Sequence, residues 1–102
     1  MATYSATRAV TADLTGGTAD TVTLTGAGSQ LRLTNLNKTS SSGHAIYFYP
    51  APYGTTPVTA TEDGADCYSV AHGMDLIIPW TGAGAVVSVF ATDNSEYSVS
   101  LL

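Results

Sequence analysis

The residues from Asp20 to Leu36, D-T-V-T-L-T-G-A-G-S-Q-L-R-L-T-N-L, decide the fold class. Val22 and Leu24 fall on one side of an extended chain and Thr21, Thr23 and Thr25 on the other, the period of two that marks a half-buried strand. Gly26-Ala27-Gly28 supplies a turn, after which Leu31 and Leu33 alternate with Arg32 and Thr34 up to Leu36. Working outward, His44 to Tyr49 is a third strand, ended by Pro50 and Pro52, and Asp66 to Ala71 a fourth. Met74 to Trp80 is a fifth, with Leu76, Ile77 and Ile78 at its centre, and Pro79 places its end or the whole strand at a sheet edge. Ala85 to Thr92 and Glu96 to Leu102 are the last two, joined by Asp93-Asn94-Ser95. No segment of ten or more residues carries a 3.6-residue apolar period, and the Thr, Val, Ile and Tyr that dominate these runs suit a pleated surface. The expectation is an all-β chain, a seven-stranded antiparallel β-sandwich of immunoglobulin-like or jelly-roll-like kind.

The segments between strands differ in character. Asn37 to Gly43 is a polar loop with no apolar residue, and Ala51 to Ala65 is long, irregular and proline-bearing. Thr25-Gly26-Ala27-Gly28 recurs as Thr81-Gly82-Ala83-Gly84, each copy following an apolar strand, where glycine permits positive φ. Met1 to Ala19 is Thr- and Ala-rich, with Tyr4, Val10 and Leu14 as its bulky apolar residues. Two readings fit it: a flexible terminus or edge strand, and an extended arm that adds a strand to a neighbouring chain. The domain division taken here is an N-terminal arm over residues 1–19 and a sandwich over 20–102.

Composition narrows the functions. The chain has 102 residues, enough for one domain that buries roughly 65% of its unfolded surface. Charged residues make up 11% and hydrophobic ones 44%, while 16 Thr and 10 Ser supply the polarity, which excludes both a solvated helical bundle and a disordered chain. Eight acids against three bases give a net charge of −5, without the basic footprint of a nucleic-acid reader. A single cysteine leaves no intrachain disulfide framework. No apolar run approaches a membrane span, and the first residues carry no signal-peptide core, so no membrane partner is expected.

Chemistry-bearing constellations are sparse. Cys67 and His72, with Asp66 or Asp75, could be arranged as nucleophile, base and orienting acid, but no G-x-S-x-G elbow is present and a lone strand cysteine is ordinarily a small apolar residue. His44, His72 and Cys67 lack the paired spacing of a zinc site, and Glu62-Asp63-Gly64-Ala65-Asp66 lacks the alternating acids of a calcium loop. No enzyme activity, metal or cofactor is expected. The stretch Tyr47-Phe48-Tyr49-Pro50-Ala51-Pro52-Tyr53 is the most unusual, either covering both sheet faces or forming an aromatic contact surface for a sugar or a protein, with Tyr49 and Tyr53 as its contact residues.

Taken together, D-T-V-T-L-T-G-A-G-S-Q-L-R-L-T-N-L (20–36), A-I-Y-F (45–48), D-L-I-I-P-W (75–80), V-V-S-V-F (86–90) and E-Y-S-V-S (96–100) resemble the small β-sandwich head decoration, or capsid cement, proteins of tailed bacteriophages. The resemblance implies a non-enzymatic virion protein, made in the host cytoplasm and carried on the outer capsid surface. It further implies an oligomer, taken as a trimer, that bridges major capsid protein subunits. On this expectation the arm (Tyr4, Val10, Leu14) and the loop from Tyr49 to Ala65 (Tyr49, Tyr53) make the partner contacts. A tail or baseplate module of the same kind of virion is one alternative. A carbohydrate-binding module that stacks sugars on Tyr47, Tyr49, Tyr53 or Trp80 is another.

Overall fold

The computed structural model describes residues 1–37 and 44–102; the rest of the expected polar loop, Lys38 to Gly43, lies outside the described residues. Among the described residues there are nine strands and no helix: β1 (Thr3–Ala6), β2 (Ala9–Leu14), β3 (Ala19–Ala27), β4 (Gln30–Asn35), β5 (Ile46–Pro52), β6 (Tyr68–Val70), β7 (Asp75–Pro79), β8 (Ala83–Phe90) and β9 (Ser95–Leu101). They make two sheets. Sheet A has the order β1-β3-β8-β5-β6 and sheet B the order β2-β9-β4-β7.

The alternation that defines each strand also builds the core. Val22 and Leu24 from β3, Val87 and Val89 from β8, and Ile46 and Phe48 from β5 face Leu31 and Leu33 of β4 and Tyr97, Val99 and Leu101 of β9, all buried. Phe48 meets Tyr97 edge to face, with centroids 6.5 Å apart and planes at 75°, the geometry that aligns a positive ring edge with a negative face. Every strand read from the sequence is present, with ends moved by a few residues.

Two expectations are corrected. Residues 3–14 are not an arm: β1 pairs with β3, Tyr4 opposite Val22, and β2 pairs with β9, Val10 opposite Val99. The β1–β3 pairing is parallel, so the sandwich is neither seven-stranded nor wholly antiparallel. The physical reason is that T-Y-S-A and A-V-T-A-D-L do alternate, but with alanine at two of the five inward positions, Ala6 and Ala12, so each buries its inner face while showing little hydrophobicity. Between them Thr7-Arg8 carries the chain from one sheet to the other. That corner is tied to both, by Gly26 N–H to Thr7 O at 2.8 Å and Leu101 N–H to Arg8 O at 2.7 Å.

The two T-G-A-G copies do different work. Gly82 and Gly84 have φ of +97° and +84°, the left-handed region that a Cβ resists. Gly26 and Gly28 do not; a Cβ on them would run into the carbonyl oxygens of Thr7 and Leu102. Close backbone approach, not turn geometry, selects glycine there.

Among the described residues every buried side-chain nitrogen and oxygen has a hydrogen-bond partner. Asp20, 2% exposed, accepts from Ala2 N–H at 3.0 Å and from the Tyr97 hydroxyl at 3.1 Å. At the far end of sheet B, the Asn35 amide donates to His44 O and Val70 O while its carbonyl accepts from Asn37 N–H. Asn37 in turn donates to Ser95 Oγ and accepts from Glu96 N–H, so two asparagines join β4, β6 and β9.

Candidate binding surface

Each sheet has an outer face, and the two are treated differently. On sheet A, the outward positions of β8 and β5 include Val86, Ser88 and Ala51, which are nonetheless buried. The chain between β5 and β6 folds back over them: Ala60, fully buried, donates its N–H to Ser88 Oγ at 2.9 Å. Tyr47 reaches the same segment, its hydroxyl 3.5 Å from Asp63. Burial, and then the Asp63 and Glu62 charges, hold that phenol above its ordinary pKa.

Among the described residues the outer face of sheet B has no such cover. Strand register lays out its residues in rows: Ala9, Ser100, Arg32 and Ile77 in one, Thr11, Ser98, Thr34 and Asp75 in the next, then Asp13 opposite Glu96. The centre is made of small hydroxyl side chains, with Thr11 Oγ1 donating to Ser98 Oγ at 3.1 Å. Thr11, Arg32, Thr34, Leu36, Ser98 and Ser100 line a shallow depression of about 230 Å³. Arg32 pairs with Asp75 at 2.7 Å, an exposed bridge that contributes little to stability. Asp13 and Glu96 are like charges directly opposite, an arrangement that costs stability, and among the described residues neither has a cation within salt-bridge distance.

The expected contact residues separate on this frame. Leu14 is 2% exposed and belongs to the core, which corrects its assignment as a contact. Tyr4 and Val10 turn inward from β1 and β2 and pack half-buried against that core, a second correction to the arm's surface. Tyr49 is half-buried on the outer side of β5, level with Ser88, and Tyr53 is 53% exposed at the corner beyond Pro52. The structure therefore does not bring the five together. The residues that sequence reasoning missed are Thr11, Thr34, Ser98 and Ser100; their polar alternation is plain in the sequence, but nothing there says which sheet face stays bare.

Other groups lie apart. Glu62, Asp63 and Asp66 are exposed in two successive turns, with Asp63 and Asp66 at φ of 52° and 60°. His72 is exposed in the turn after β6, and His44 pairs with Asp93 at 2.6 Å. No three metal-ligating side chains gather among the described residues. A groove of about 430 Å³ at the ends of β5 and β7 is lined by Pro50, Pro52, Pro79, Trp80 and Thr81, with the indole N–H fixed on Gly84 O at 3.0 Å. Among the described residues no helix is long and apolar enough to cross a membrane.

No protein-family model matches the sequence, and no curated protein matches it significantly. Among solved structures, the chain is similar to the pre-peptidase C-terminal domain of a collagenase from Bacillus anthracis, at TM-score 0.54 and 11% identity, covering all of this chain and 95% of that one. At that identity the likeness speaks to the fold alone: a two-sheet β-sandwich.

Proposed function

We propose that this chain is a non-enzymatic structural protein of a bacteriophage virion, which docks the bare face of sheet B on the outer capsid surface and bridges major capsid protein subunits. The observation that carries this reading is that the centre of sheet B's outer face is an open field of Thr and Ser among the described residues, whereas the chain's own segment covers the centre of sheet A over β5 and β8 and leaves the hydroxyl residues of β1 and β3 only at that sheet's edge. Short hydroxyl side chains offer hydrogen bonds with little charge to desolvate and little rotamer entropy to lose. Repetition over a shell multiplies many weak contacts into firm attachment. The sequence resemblance to capsid cement proteins supplies the address, with a sandwich of immunoglobulin-like or jelly-roll-like kind as the rigid support.

The test is cosedimentation of the purified protein with capsids of the parent phage assembled without it. Ser98→Arg, at the centre of the bare face, should abolish binding, while Thr56→Arg on the exposed segment after β5 should leave it intact. Absence of binding by the unaltered protein, or equal binding by both variants, overturns the reading. A sugar-binding reading is favoured by one observation, the indole of Trp80 held rigid beside three prolines. A glycan array that returns ligands lost in Trp80→Ala would support it instead.

A further inference from the structure

Strand β2 has one side open, and its backbone can be oriented residue by residue. In an antiparallel ladder successive residues turn their N–H and C=O groups to alternate sides. Leu101 donates to Arg8 O, and the β2–β9 register runs unbroken from Ala9 opposite Ser100 to Leu14 opposite Ser95. Val10, Ala12 and Leu14 therefore bond to β9, while Ala9, Thr11 and Asp13 turn their backbone groups to the side on which sheet B has no further strand among the described residues.

The other edges are blunted. On β7, Trp80 N–H to Ser29 O and Asn35 N–H to Met74 O fix the same alternation, so the outward residues are Asp75, Ile77 and Pro79, the last without a donor. β1 has four residues and β6 three, and where β6 ends β5 continues through Pro50 and Pro52. β2, six residues long, carries no proline, no lysine and no register shift.

We propose that β2 pairs with β2 of a second copy about a two-fold axis at Thr11, joining the two B sheets edge to edge. In that register Thr11 faces Thr11, Ala9 faces Asp13 and Val10 faces Ala12 of the copy, so all three outward residues of each strand exchange both backbone bonds. Asp13 stands opposite an alanine, with no like charge against it. Sliding the copy by two residues either way leaves an outward residue without a partner, and sliding further toward the C-terminal end sets Asp13 against Asp13. The strand is therefore complementary to itself, which selects a second copy as the occupant.

The experiment is light scattering behind size-exclusion chromatography over a concentration series, with amide exchange of the purified chain. The unaltered protein forms a dimer in which the Thr11 amide is protected. Ala9 is exposed, and Ala9→Lys, opposite Asp13 of the copy, tightens the dimer roughly fivefold while Ala9→Glu loosens it by a similar factor. Opposite shifts cannot come from misfolding. A monomer at every concentration, or a dimer indifferent to both changes with a freely exchanging Thr11 amide, overturns the proposal. It stands apart from the capsid reading, because a dimer that ignores capsids defeats that reading alone.

Discussion

Tyr97 and Asp20 form a buried polar pair in an otherwise apolar layer. Burial, and then the Asp20 carboxylate 3.1 Å from its oxygen, push the Tyr97 hydroxyl well above its ordinary value of 10.0. The sign of the pH dependence follows. In the unfolded chain this phenol ionises near pH 10, whereas in the native protein it keeps its proton, so stability is full below pH 10 and falls as pH rises beyond it. Tyr97→Phe should cost about 1–3 kcal/mol at neutral pH, by leaving one oxygen of a buried carboxylate without its donor. The same variant should also lose less stability than the unaltered protein between pH 9 and 11, in urea titrations at each pH. Equal alkaline slopes would show that Tyr97 ionises in the native state. Residue-level reading of the sequence placed Tyr97 on a strand but not beside Asp20, since the two lie 77 positions apart and meet only across the sheets.

At the scale of elements, glycine positions separate two kinds of constraint. Gly28 lacks a positive φ but faces Leu102 O at a distance no Cβ tolerates, while Gly17 has φ of +80° and open space around it. Gly28→Ala must push β4's entry away from the last strand and should cost several kcal/mol, about 3 by analogy with overpacked cores. Gly17→Ala meets only the left-handed backbone penalty of about 1–2 kcal/mol. Thermal melts of the two variants give the order, and a larger loss at Gly17 would contradict the assignment. Elements were legible where bulky apolar residues alternate, as in D-T-V-T-L-T or E-Y-S-V-S. They were not legible in T-Y-S-A, whose inward Tyr4 and Ala6 form a strand only because Thr7-Arg8 turns the chain between sheets and lays β1 parallel to β3. The bare face was hidden for a related reason. Ser88 in V-V-S-V-F is a polar residue in an apolar run, and only the returning chain at Ala60 explains its burial.

Across the whole molecule, the first fourteen residues are structural. Removing residues 2–14 takes an edge strand from each sheet, Leu14 from the core and the Ala2 donor from Asp20. The expected outcome is a chain that fails to fold or melts tens of degrees lower, read by circular dichroism, since it loses several buried side chains at about 1–3 kcal/mol each. A truncated protein with unchanged melting would restore the detachable arm. Sheet B depends just as much on its other partner: β9 lies between β2 and β4, and those two strands have no direct bonding to each other. During synthesis, then, half of the sandwich cannot close until the ribosome has released Ser95 to Leu101. Until that moment Leu31, Leu33 and Val10 wait with their apolar sides uncovered, so the interval before the last strand emerges is when a chaperone has most to hold.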